Sequence, residues 1–153
     1  MIRTVDLVSN VLQEYSFQAA EFRRTKQVRD KVQWEECRKS VDEVKRNFTT
    51  IVEKELRQKL SENPVFNKNM HLDIMTIPEA VIEEHIRTSG HISVSSSKVS
   101  MLQELVEFVK QEGLEPFINY WDSETPGKKY DAKFQVTIPD KLMQNIIEDQ
   151  LYL

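Results

Sequence analysis

Near the start of the chain, Val5, Val8, Leu12, Tyr15, Ala19 and Phe22 recur at alternating steps of three and four. That spacing is a heptad stripe, the pattern of a helix that lays a narrow apolar seam on another helix. Thr4 is placed to cap its N-terminus, with Asp6 in the first turn where the helix dipole favours a negative charge. The stripe lapses through Arg23–Lys31, where only Val28 is apolar, and Val32 follows. It resumes at Cys37, Val41, Val44, Phe48 and Ile51, then Leu56 and Leu60, with Glu55 as the one break. Two geometries satisfy the pattern. A helical hairpin turning near Thr25 packs one stripe on the other, whereas a continuous rod of roughly 90 Å needs a second chain. In either case Val5, Val8, Leu12, Tyr15, Phe22, Val41, Val44, Phe48, Ile51 and Leu56 are the expected interaction residues.

Glycine and proline sharpen the division. None occurs in residues 1–63, and all three glycines and five prolines lie beyond Asn63. A stretch so free of turn residues reads as long helix, and Asn63-Pro64 ends it. Residues 1–63 are therefore predicted to be a helical oligomerisation arm, and residues 64–153 a small compact α+β domain. In the second part the period changes. His71–Ile77 reads as a strand, followed by a helix over 78–88 whose Thr76-Ile-Pro-Glu79 start matches a capping box. A short strand at Ile92–Val94, a helix over 98–112 ended by Gly113, and a strand at Phe117–Trp121 come next. Pro126-Gly127 supplies a type II turn. Tyr130, Ala132, Phe134, Val136 and Ile138 then alternate with polar residues, the clearest strand of the chain. A last helix over 139–149 completes the order β-α-β-α-β-β-α, about four strands with helices on one side. The two junctions Met75–Ile82 and Val136–Met143 share Thr-Ile-Pro and read as the same capping chemistry used twice.

Composition narrows the function classes. The chain is 39% hydrophobic and 30% charged, which suits solvated helices beside a modest core. No apolar run is long enough to span a membrane and the first residues lack a signal-peptide pattern, so an intracellular, cytoplasmic location is expected. Cys37, the single cysteine, suits a reducing compartment. The net charge of −4 is unevenly spread: residues 1–63 hold 13 cations against 11 carboxylates (+2), and 64–153 hold 8 against 14 (−6). Arg23, Arg24, Lys26, Arg29 and Lys31 form the densest basic block, but so acidic a chain gains little long-range attraction for phosphate, and nucleic-acid binding is expected to be weak or absent.

Candidate chemistry is sparse. Leu72–Ile86, a strand, a proline and a helix, followed by a helix over Ser97–Gln111, resembles the ribbon–helix–helix family of DNA-binding dimers over about forty residues. The resemblance implies a pair of strands reading the major groove through His71, Asp73 and Met75. The segment His91–Ser97 overfills that family's interhelical turn, and the region is acidic where DNA contact wants cations. Asp122, with Asp131-Ala-Lys133 across a hairpin and Glu104 or Glu107 nearby, looks like the arrangement by which metal-dependent nucleases hold Mg²⁺ and activate water. Asp131 and Lys133 share one strand face, though the motif's usual preceding proline is absent. His71, His85 and His91 with Glu84 lack zinc-ligand spacing. Ser95-Ser-Ser-Lys98 lacks the glycines of a phosphate loop.

The sequence thus points to a non-catalytic interaction or assembly protein, a subunit or regulator in a larger complex. No catalytic, metal or cofactor-binding residues are assigned. A homo-oligomer with a further protein partner is expected, and no membrane association. The small size and missing address signals suit a virus- or phage-encoded accessory protein. The alternatives are a ribbon–helix–helix-like regulator and a nuclease-like enzyme using Asp122, Asp131 and Lys133.

Overall fold

The structure, a computed structural model, describes residues 3–62, 70–88 and 101–151, and for 147–151 the backbone alone. Its first element is one helix, α1 (Thr4–Glu62), of 59 residues. The helix runs through the basic block without a turn, so the hairpin alternative does not form. The physical reason is in the residues: Arg23–Lys31 supplies no glycine, proline or asparagine to break the backbone. One residue inside α1, Asn47, departs from helical geometry (φ −114°, ψ 20°).

The remaining elements are β1 (His71–Thr76), α2 (Glu79–Thr88), α3 (Met101–Gln111), β2 (Glu115–Asp122), β3 (Tyr130–Thr137) and α4 (Asp140–Leu151). The described strands form one antiparallel sheet in the order β1-β3-β2. Three of the four expected strands are among the described residues, and the other, Ile92–Val94, lies outside them. The α+β class holds. β3 occupies the centre, as its unbroken alternation predicts, with Ala132, Phe134 and Val136 buried on the helix-covered face. In β1 the register slips between Asp73 and Met75, a bulge that lets consecutive residues Ile74 and Met75 both reach the core.

Turn chemistry follows the sequence. Gly113 has φ +84° and closes α3, with its N–H on Lys110 O at 3.0 Å and the Leu114 N–H on Val109 O at 3.3 Å. Gly127 has φ +80° in a turn closed by Lys128 N–H on Thr125 O, as a type II turn requires. The α2 cap differs from expectation. The Glu79 carboxylate does not fold back on its own helix but is buried against Arg29 and the Lys129 backbone N–H. The α2 end is capped from outside: the Ala80 N–H donates to Gln33 Oε1 at 2.7 Å.

The second half of α1 belongs to this body. Cys37, Val41, Val44 and Phe48 are buried in the same core as Leu72, Ile82, Leu105 and Phe134, with Trp34, Ile51 and Leu56 packed at its margin. Phe48 meets Phe108 of α3 edge-on at 5.3 Å. Packing therefore draws the body's boundary near Arg29 and not at residue 63. The stripe at 41–56 is consumed within the chain, because a sheet with an apolar face must be covered and the adjacent helix covers it.

Ion pairs tie α1 to α3. Glu104 accepts from Arg38 at 2.7 and 2.9 Å and from Lys45 at 2.6 Å. Hydrogen bonds from Arg38 and then Lys45 hold its carboxyl down at about 2. A depressed carboxylate adds stability above its unfolded pKa, and that contribution is lost as pH falls through the folded value. Because Glu104 is 34% exposed, screening limits the contribution to about 1–2 kcal/mol. Glu104→Gln is expected to lower stability by that amount at pH 7. Its difference from wild type should shrink between about pH 5 and pH 2, read by denaturant melts across pH. A constant difference down to pH 2 would contradict the ion-pair account.

Candidate functional site

The distinctive surface is the free end of α1. Residues 3–28 are exposed, apart from Glu21, which pairs with its own neighbour Arg24 at 2.8 Å. Among the described residues, the first hydrogen bonds from α1 to the rest of the chain are made by Arg29, to Glu79 at 2.9 Å and Glu83 at 3.4 Å. Thr4–Val28 thus forms a helical arm that reaches about 37 Å beyond the body at the usual rise. Its stripe is open: Val5 is 64% exposed, Leu12 66%, Tyr15 57% and Phe22 72%. A monomeric protein rarely leaves so many large apolar groups in one contiguous row.

The polar interruption between the two stripes now has a cause. Arg29 and Gln33 lie where α1 crosses the N-terminus of α2. There a guanidinium meets Glu79 and Glu83, and an amide oxygen takes a helix-end N–H. The acidic partners raise the Arg29 pKa, the adjacent Asp30 hydrogen bond most of all. Beside this junction a groove of about 480 Å³ is lined by Arg29, Gln33, Glu36, Ile77, Pro78 and Glu79, among others. The sequence held no local sign of the junction, since its members sit some fifty residues apart. The lapse of the heptad at Lys26, Arg29 and Gln33 was its only trace.

The other candidates do not converge. Cross-strand pairing places Asp131 opposite Trp121 and Asp122 opposite Tyr130. Neighbouring positions on a strand face opposite ways, so Asp122 and Asp131 point to opposite sides of the sheet. Asp131 pairs with Lys128, Lys133 with Asp73, and Glu104 is held by α1. Among the described residues no three His, Cys, Asp or Glu side chains are grouped to hold a metal ion. The strand that the ribbon–helix–helix resemblance assigns to a DNA groove is hydrogen-bonded along its length to β3 of the same chain. His71 stacks on Phe117 at 5.1 Å and meets Thr137 at 2.9 Å, while Asp73 accepts from Gln135 and Lys133. These groups form a polar sheet face on which Phe117 and Trp121 stay partly open. His91 and Ser95–Lys98 lie outside the described residues.

No helix among the described residues is long and apolar enough to cross a membrane. Comparison with family models, characterised proteins and solved structures gives no match to this chain.

Proposed function

We propose that this is a non-catalytic assembly protein. In this reading the N-terminal arm joins copies of the chain and the compact body presents surface to a further protein partner. The observation that carries it is the exposed stripe from Val5 to Phe22, on the part of α1 that precedes its first hydrogen bonds to the body at Arg29 among the described residues. Most helical stability in proteins comes from packing an apolar face, so the arm gains order chiefly by burying its stripe. The second copy is the occupant argued for, because the stripe has the narrow heptad form that complements itself. Six side chains, two of them aromatic, expose on the order of 600 Å² for burial, near the scale of about 800 Å² per partner in stable interfaces.

Helicity should then depend on concentration. Diluting the protein from about 100 μM to below 1 μM should remove helical circular dichroism equivalent to the arm while the body's melt stays in place. Ellipticity independent of concentration over that range would count against arm-mediated assembly.

A further inference from the structure

The arm's open stripe and the body lie on the same side of α1. From Val5 to Trp34 is 29 residues, eight helical turns plus about 20° at 100° per residue. The run Val5, Val8, Leu12, Tyr15, Ala19, Phe22 and the run Trp34, Cys37, Val41, Val44, Phe48, Ile51 therefore centre within about 20° of each other. Asn47, the one non-helical residue, lies late in the second run and leaves that comparison intact through Val44. The first run is exposed and the second carries the body.

From this we infer that two copies pair through their arms antiparallel, with the bodies at opposite ends. The inference rests on the assembly reading above and specifies its geometry. In a parallel pair, facing helices sit about 8–10 Å apart, and both bodies, each a sheet with further helices, would have to occupy that gap at the same level. There is no room for them. In an antiparallel pair each body lies beyond the tip of the other arm. Charge acts in the same direction. Residues 3–21 hold one cation and three carboxylates (−2), and residues 22–31 hold five cations and one carboxylate (+4). Parallel pairing sets the two +4 segments side by side. Antiparallel pairing separates them by roughly 40 Å, several Debye lengths.

The stripe also selects a register. With residue n facing residue 27 − n of the second copy, all six apolar positions meet one another: Val5 with Phe22, Val8 with Ala19, Leu12 with Tyr15. Sliding by one heptad one way would bring Lys26 and Arg29 into the seam, and Arg29 is already committed to Glu79 and Glu83; sliding the other way carries Ala19 and Phe22 past Val5 of the second copy and out of the apolar seam.

Cysteine pairing tests orientation. Val8→Cys and Ala19→Cys are small changes at facing positions. Native Cys37 is buried, and burial pushes its thiol up to about 11, so it does not compete at neutral pH. Each full-length variant is oxidised alone and in an equimolar mixture after subunit exchange, and the products are identified by mass on the intact chain. The mixed disulfide should exceed either homodisulfide by on the order of tenfold, since only facing positions reach disulfide distance and raise the effective concentration. In this geometry two copies of residue 8 stand about 16 Å apart. A dominant Val8→Cys homodisulfide would establish parallel arms and overturn the orientation while leaving assembly intact. A monomeric mass for both reduced variants and wild type alike would overturn assembly itself.

Discussion

Phe48→Asp is expected to abolish cooperative folding of the body. Phe22→Asp, the same change on the same helix, is expected to leave the body's melt within about 0.5 kcal/mol of wild type. Phe48 is 5% exposed and packs edge-on against Phe108, whereas Phe22 is 72% exposed. A carboxylate at position 48 loses the apolar burial of the ring, about 3–5 kcal/mol for a large core side chain, and leaves a charge without a partner. Lys45 is near, but it is engaged by Glu104 at 2.6 Å. The sum approaches the whole stability of a small domain. Urea melts read by far-UV circular dichroism decide it. A cooperative melt for Phe48→Asp would mean that the second half of α1 is not part of the core.

The contrast also marks where sequence reading succeeded and where it stopped. Local chemistry was legible: Gly113 and Gly127 have the positive φ their turns demand, and the alternation from Tyr130 to Ile138 identified the central strand. The helical character of residues 1–63 was legible as well, from the absence of glycine and proline, but one rod and a hairpin of two helices fitted that pattern equally. The use of each stripe was not legible. Val5–Phe22 and Trp34–Ile51 have the same spacing, and spacing alone does not say whether a seam meets another chain or the chain's own sheet. That is settled by contacts between residues far apart, such as Arg38 with Glu104 and Gln33 with the Ala80 N–H. The Asp122, Asp131 and Lys133 grouping failed for a related reason. Proximity in a hairpin is readable, but the face each carboxylate takes depends on the pairing of Trp121 with Asp131.

The second large effect concerns mass. Leu12→Asp combined with Phe22→Asp places two carboxylates per chain in the proposed seam, four in a pair. Each would be buried away from water without a cation opposite, at a cost of several kcal/mol. An interface near 600 Å² per partner does not tolerate that loss, so association should weaken by more than a hundredfold. The body makes no contact with either residue and should keep its melting temperature. Sedimentation equilibrium of wild type and the double variant across the micromolar range is the most direct measurement. The account predicts twice the single-chain mass for wild type and one chain for the variant. A wild-type protein that stays at the mass of one chain throughout would contradict it.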